Sequence, residues 1–124
     1  MSSYCSKVQL ILLTSIICLV SYKAYALGCS TKRIPFFNRQ YAKAWKTTIC
    51  PNSKLKFHKH HTARILIPYE SGMLKVLYKS GKSEMIKLTK GIPMYLPVSE
   101  GLKLHEDINV GKKPLSLIVI SIKR

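Results

Sequence analysis

The chain has 124 residues and a formal net charge of +16 at pH 7, so it can form one small domain with a strongly basic surface. Its basic residues are scattered and include no arginine-rich tract, which argues against a specific nucleic-acid interface. The chain has four cysteines, but two of them lie within residues 1–26, a segment with the features of a cleaved leader. A zinc site made of four thiolates is therefore excluded.

The N-terminal segment has the features of a secretory signal peptide. Lys7 precedes an apolar run from Val8 to Val20, and the polar stretch that follows ends in an A-x-A pattern at residues 24–26. The apolar run is shorter than the roughly 20 residues that span a bilayer as a helix. We therefore predict cleavage after Ala26 and export to the periplasm or the exterior. We favour this over a retained membrane anchor and over a lipid anchor at Cys29.

The mature chain would keep 98 residues, of which 19 are basic and 5 are acidic, with a net charge of +14. Cys29 and Cys50 remain as an even pair in an oxidising compartment, which favours one disulfide over two unpaired thiols. The lysines alternate with apolar residues, as in KLKFHK and MLKVLYK, a pattern typical of strands with one solvated face. We expect weak contact with anionic surfaces and no specific nucleic-acid partner.

Residues 27–43 lack clean periodicity, and we expect an N-terminal extension that lies across the domain, tethered by Cys29. From residue 44 to residue 124, short runs of strand-like composition alternate with turn signals, and none shows a helical period. In chain order the predicted strands are AWKTTIC, KLKFHKH, ARILIPY, MLKVLYK, SEMIKL, IPMYLP, LKLHEDINV and LSLIVISI. The last strand is apolar on both faces, so we predict that it is central. The pattern indicates an all-β sandwich or barrel.

Three of the four histidines, His58, His60 and His61, lie within four residues. On a strand, His58 and His60 would point to one face and His61 to the other. Two imidazoles do not bind a zinc-like ion tightly, so a third ligand must come from elsewhere in the chain. His105 lies on a later predicted strand, with Asp107 on the same face. The alternative is a polar histidine cluster on a basic surface.

Two stretches of the sequence resemble the paired motifs of the cupins. The stretch HKHHTAR…ESG is similar to the first motif, in which H-x-H is followed by a ligand glutamate and a later glycine. The stretch GIPMYLPVSEGLKLHEDIN is similar to the second motif, whose positions correspond in order to Gly91, Pro97, Gly101, His105 and Asn109. The resemblance covers about residues 45–122 and implies a small antiparallel jelly-roll β-barrel.

The resemblance also implies that His58, His60 and His105 bind one divalent metal ion inside the barrel, with Fe, Mn, Ni and Zn as candidates. One position departs from the motif, because Arg64 stands where the ligand glutamate is expected. Arginine stays protonated and cannot ligate a metal. Either Arg64 turns away, or an anion bridges it to the metal, or the site holds no metal. Asp107 is the candidate substitute ligand, and His61 has at most a place at the pocket mouth.

The cupin fold is shared by enzymes and by binding modules, so the resemblance does not fix the chemistry. One interpretation is an exported, non-catalytic protein that binds a divalent metal or a small anion. The other is a metal-dependent enzyme of oxygenase or isomerase type, in which Arg64 binds the carboxylate of a small substrate. No general base apart from the ligands is evident, which favours the first. Both are compatible with a small-molecule ligand and with a homodimer.

Overall fold

The structure is a computed structural model that describes residues 28–124, so the predicted signal peptide lies outside the described residues. Nine strands and one four-residue helix form in this part of the chain. The strands are β1 (Lys32–Asn38), β2 (Ala42–Ile49), β3 (Lys54–His58), β4 (Ala63–Pro68), β5 (Gly72–Tyr78), β6 (Ser83–Leu88), β7 (Met94–Leu96), β8 (His105–Asn109) and β9 (Leu115–Ile122). The helix, α1, spans Val98–Gly101. Between residues 28 and 124, no helix is long and apolar enough to cross a membrane.

The strands form two antiparallel sheets that enclose the core. The first sheet has the strand order β1-β2-β9-β4-β7, and the second has the order β3-β8-β5-β6. The chain passes from one sheet to the other after β2, β3, β4, β6, β7 and β8, as in a jelly roll. The predicted all-β antiparallel architecture is therefore confirmed.

The core lies between the sheets, and β9 runs through the middle of the first one. Strand β9 pairs with β2 on one side and with β4 on the other, so the prediction of a central last strand is confirmed. Its side chains Leu115, Leu117 and Val119 are buried against Trp45 and Leu74. Full burial of an aliphatic side chain of this size stabilises a fold by about 2 kcal/mol, and such contacts hold the two sheets together.

The N-terminal extension differs from its prediction, because it forms the edge strand β1. Strand β1 pairs with β2 from Lys32 opposite Thr48 to Asn38 opposite Lys43. Every residue of β1 is exposed, so the strand lacks the alternation of buried and exposed positions that sequence patterns reveal. A disulfide joins Cys29, just before β1, to Cys50, with their Cα atoms 5.9 Å apart.

Helix α1 also has no counterpart among the predicted elements. Its four residues are fewer than are needed to display a helical period. The strand predicted for LKLHEDINV is correspondingly shorter, because β8 begins only at His105. This short helix and the loop after it carry the chain from β7 in one sheet to β8 in the other.

Candidate metal centre

Strand pairing brings two of the predicted ligands together. His58, the last residue of β3, lies directly opposite His105, the first residue of β8. Their ring centroids are 4.5 Å apart. Strand β8 is covered on its other side by β5, where Tyr78 is the partner of His105. His105 is therefore buried, with 3% of its surface exposed.

The third histidine reaches the same place by a different route. The prediction that His58 and His60 share a strand is wrong, because β3 ends at His58. The β3–β8 ladder shifts register between Leu55 and His58, and the chain then leaves it. The backbone N–H of His60 instead donates to the carbonyl oxygen of Gly101, at 2.8 Å. The ring of His60 still lies 4.9 Å from that of His58 and 5.6 Å from that of His105, measured between centroids.

Gly101 allows this close approach between α1 and the His60 loop. A Cβ atom at position 101 would lie 2.6 Å from Cβ of His60 and 2.9 Å from its carbonyl oxygen, too close for any side chain. The glycine of the second motif therefore has a physical role in this chain, since it lets the backbone hold His60 beside the other two imidazoles.

The three imidazoles lie close enough together that they could hold one metal ion. One ring nitrogen from each of His58, His60 and His105 lies within 4.8 Å of the other two. Nitrogen ligands about 2.1 Å from a tetrahedral ion are roughly 3.4 Å apart, so small side-chain rotations would bring these three to one ion. The predicted convergence of the three histidines is confirmed.

Backbone carbonyls fix the orientation of two of the rings. Nδ1 of His58 lies 2.7 Å from the carbonyl oxygen of Lys56, and Nδ1 of His105 lies 2.6 Å from that of Lys103. A carbonyl can only accept, so each Nδ1 carries a proton and donates it. The lone pair of each neutral ring is then on Nε2, the form in which metal-binding histidines are normally held.

Asp107 lies beside the same two rings. Its Oδ2 is 3.3 Å from Nε2 of His58, and its Oδ1 is 3.9 Å from Nε2 of His105. Nε2 of His58 is buried and makes no hydrogen bond to any of the described residues. With Nδ1 protonated, an imidazole lone pair therefore faces a carboxylate, and these two acceptors repel each other unless a cation lies between them. A metal ion or a second ring proton meets that need, so the residues fit a metal.

The electrostatics keep Asp107 and His60 in the forms that bind metals. Burial alone would raise the pKa of Asp107, but the nearby imidazoles of His58, His105 and His60 lower it below its ordinary value. Burial, reinforced by the charge of Arg64, lowers the pKa of His60 from 6.5 to about 3. At neutral pH the carboxylate is ionised and His60 is neutral, as ligation requires.

The other sequence candidates near the motifs lie away from this group. His61 is exposed and is not among the converging histidines, as expected. Glu106 faces away from the centre and forms an ion pair with Lys54, at 2.7 Å between Oε1 and Nζ. Tyr95, considered as a barrel-lining residue, is 62% exposed and faces solvent, whereas Trp45 does line the interior.

Arg64 lies in the cavity that the histidines border. This cavity, of about 50 Å³, lies between the sheets and is lined by His60, His105, Asp107 and Arg64, among others. Arg64 is only 5% exposed, and its Nε has no hydrogen-bond partner among residues 28–124. Within the described residues, no carboxylate lies within 4.0 Å of its guanidinium. Arg64 therefore remains close to the histidines and is not turned away from them.

Three titratable residues of the cavity were not predicted from the sequence. Arg33, Tyr78 and Glu100 line it together with the predicted residues. Arg33 belongs to β1, which the sequence pattern does not reveal, and Glu100 belongs to the equally hidden α1. Tyr78 could have been found, because it ends a clearly alternating strand that pairs with β8.

Comparisons with known proteins identify the fold. No protein-family model matches the sequence, and no curated protein matches it significantly. The structure is similar to a cupin domain from Bordetella pertussis, with a TM-score of 0.65 and 21% identity over 77% of this chain and 98% of that one.

Two further solved structures give the same result. An RmlC-like cupin family protein with a double-stranded β-helix fold from Methanocaldococcus jannaschii has a TM-score of 0.59 and 13% identity, over 75% of this chain and 80% of that one. An uncharacterized conserved protein with a double-stranded β-helix domain from Klebsiella pneumoniae has a TM-score of 0.57 and 14% identity, over 77% and 78% of the two chains. Likeness at such low identity concerns the fold. The chain has the cupin fold, as the resemblance of its two motifs implies.

Proposed function

We propose that this protein is an exported cupin-fold protein that binds one divalent metal ion through His58, His60 and His105, with Asp107 as a fourth ligand. The observation that carries the proposal is the convergence of one nitrogen from each histidine within 4.8 Å. The buried, unbonded Nε2 of His58 facing the carboxylate of Asp107 is further support. Asp107 would thus supply the carboxylate that the first motif lacks at Arg64.

Three imidazoles and one carboxylate form a donor set suited to Fe, Mn, Ni or Zn. Such an ion, when bound with a free coordination position, acts as a Lewis acid toward a bound oxygen ligand. The chain itself supplies the positioning. The carbonyls of Lys56 and Lys103 hold two rings in the ligating tautomer, and Gly101 holds the backbone of His60 in place.

Export is proposed on separate grounds. The sequence of residues 1–26 has the three parts of a cleavable signal, and a Cys29–Cys50 disulfide suits an oxidising compartment. If export occurs as proposed, mass spectrometry of the secreted or periplasmic protein will give a chain that starts at Leu27. A mass that includes residues 1–26, or a lipid on Cys29, would contradict cleavage after Ala26.

A second candidate function is that of a metal-dependent enzyme, of oxygenase or isomerase type, that acts on a small carboxylate-bearing substrate. The buried guanidinium of Arg64, whose Nε has no hydrogen-bond partner in the described part of the chain, favours this candidate. Glu106 is not available as a general base, because it faces away from the cavity and pairs with Lys54. The binding function therefore ranks first.

Elemental analysis of the purified mature protein tests the metal proposal. The parent should carry about one transition-metal ion per chain, and His58→Ala should carry almost none, because the two remaining imidazoles hold a labile ion weakly. His61→Ala is the matched control and should retain the metal of the parent. A metal-free parent that stays metal-free after incubation with Zn²⁺, Fe²⁺, Mn²⁺ and Ni²⁺ would contradict the proposal.

A further inference from the structure

A second, larger cavity adjoins the one beside the histidines. It is a surface groove of about 350 Å³, within the size range of small-molecule sites. Arg33, Trp45 and His60 line both the groove and the inner cavity, so these residues form the boundary between them. A ligand could therefore extend from the groove toward the histidines.

The groove is basic. Its charged and titratable lining residues are Arg33, Lys43, Lys59, His60 and His61, and none of its lining residues in the described part of the chain is acidic. A concave surface lined by charges of one sign concentrates ligands of the opposite sign. The groove therefore favours anions.

Arg33 is exposed to solvent like the rest of β1, but its side chain lies on the side of the strand that lines the inner cavity. It lies opposite Thr47 in the β1–β2 ladder, and residues directly opposite in an antiparallel pair share a face of the sheet. Thr47 is 3% exposed and lines the inner cavity, so Arg33 points to the same side. The guanidinium carbon of Arg33 lies 5.9 Å from the centroid of the Trp45 ring. Burial lowers the pKa of Arg33, and the charge of Asp107 only partly opposes this effect.

The acidic residues of the inner cavity do not form close ion pairs with the two arginines. Asp107 lies 3.3 Å from His58 and 3.9 Å from His105, but no ion pair joins it to Arg33 or Arg64 among the described residues. Glu100 is exposed to solvent, which screens its charge. The guanidinium of Arg64 is buried with an unsatisfied Nε, which costs free energy, and a bound anion would remove that cost.

We infer that Arg33 and Arg64 together hold the carboxylate of a small organic anion at the boundary between the two cavities, and that the rest of this ligand lies in the groove near Lys43 and Lys59. A planar carboxylate suits both the forked donors of arginine and an inner cavity of only about 50 Å³. The inference rests on the carboxylate ligand of the second candidate function and deepens it by adding Arg33 and the groove to the binding site. It depends on the arginines and not on the metal, so it can be tested separately.

Trp45 provides the signal for this test, because it is the only tryptophan of the chain and lines both cavities. The metal-free mature protein is titrated with succinate at low ionic strength while tryptophan fluorescence is recorded. Succinate should give a saturable change, whereas its uncharged isostere succinamide should give none. Inorganic phosphate should bind at least about tenfold more weakly than succinate, because it has no second carboxylate to reach Lys43 and Lys59 in the groove.

Substitutions of the arginines show which residues bind succinate. Arg33→Gln and Arg64→Gln should each weaken succinate binding at least about tenfold, the expected loss for a charged hydrogen bond. Arg39→Gln removes the same charge from the exposed loop after β1 and should bind as the parent does. Arg64→Lys keeps the charge without the fork, should keep the parent melting temperature, and should still bind more weakly.

Several results would overturn the inference. These are the absence of a saturable change with succinate, equal binding of phosphate or succinamide, and unchanged affinity in Arg33→Gln. Repeating the titration with Zn²⁺ separates the two proposals. Succinate binding that needs both arginines in a protein that binds no metal would support the carboxylate site while contradicting the metal site. Metal binding without any succinate binding would support the metal site and contradict the carboxylate site.

Discussion

His58 and His105 face each other across the β3–β8 ladder, with their ring centroids 4.5 Å apart. Each ring is held through Nδ1 by the carbonyl oxygen two residues before it, in Lys56 and Lys103 respectively. This repeated local contact turns both Nε2 atoms toward Asp107. The backbone of two strands therefore orients the ligands before any ion binds, which reduces the cost of ordering them.

Replacing His105 should abolish tight metal binding, whereas replacing His61 should not. His105→Ala removes one of three converging nitrogens, and we expect Zn²⁺ affinity to fall at least about 100-fold, as for a lost zinc ligand or its support. His61→Ala removes an exposed imidazole that lies outside the group. Calorimetric titration with Zn²⁺ measures both effects. Equal affinity in the two variants would place the ion elsewhere.

The sequence contains enough information for most of the fold. Strands such as β9 and β5 show their burial in their own residues, since Leu115, Leu117 and Val119 occupy alternate buried positions. Strand β1 could not be recognised in the same way, because its position depends on pairing with β2 and not on an inward face of its own.

The site was predictable in its members more than in its geometry. The spacing of His58, His60 and His105 in the motifs identifies the group. The expectation that His60 shares a strand with His58, and therefore points to the same face, is wrong, because the strand ends at His58. His60 is placed by a hydrogen bond to Gly101, a long-range contact that no local pattern encodes. The role of Arg33 could not be predicted either, because Arg33 belongs to β1, and that strand is placed only by its pairing with β2.

Substituting Gly101 should disturb His60 specifically. In Gly101→Ala, the new Cβ would lie 2.6 Å from Cβ of His60, so the His60 loop must move. Overpacking of this kind costs about 1–3 kcal/mol. Each kcal/mol lowers the melting temperature of a domain of this size by roughly 4–8 °C. Zn²⁺ affinity should fall as well.

Ser99→Ala, an exposed change in the same helix, is the control for Gly101→Ala. Differential scanning calorimetry and Zn²⁺ titration would show the difference between the two. A Gly101→Ala variant with the melting temperature and the affinity of Ser99→Ala would contradict the proposed role of the glycine.

The metal-free protein should lose stability as the pH falls below neutrality. Burial and the charge of Arg64 lower the pKa of His60 in the folded chain from its ordinary value of 6.5 to about 3. The unfolded state therefore binds the proton more readily, and the contribution of His60 to stability, complete above pH 6.5, declines as the pH falls toward 3. Asp107, whose pKa is also lowered, adds a further loss only at more acidic pH, below its ordinary value of 3.8.

Urea unfolding at pH 7 and at pH 5 measures this effect. The side chain of His60 is partly solvated, so we expect the change between the two pH values to be about 1 kcal/mol smaller in His60→Gln than in the parent. His61→Gln, at an exposed position, should keep the parent difference. An unchanged pH dependence in His60→Gln would refute the assignment.

The disulfide should stabilise the domain without contributing to metal binding. Cys29 and Cys50 are separated by 21 positions, and closing a loop of that length contributes about 3 kcal/mol in the chain-entropy model. The double variant Cys29→Ser/Cys50→Ser should be less stable by about that amount. Its Zn²⁺ stoichiometry should be unchanged, because none of the proposed ligands belongs to β1 or β2. Parent protein treated with a reductant should match it, and equal stability before and after reduction would show that the bond is absent.

X-ray diffraction at the zinc absorption edge, from crystals of the mature protein grown with Zn²⁺, tests the central claim most directly. We predict one anomalous peak per chain, about 2.1 Å from a nitrogen of each of His58, His60 and His105, the distance expected for a zinc–imidazole bond. An oxygen of Asp107 should complete the set. A peak at His61 or elsewhere on the surface, or no peak between the three imidazoles, would contradict it.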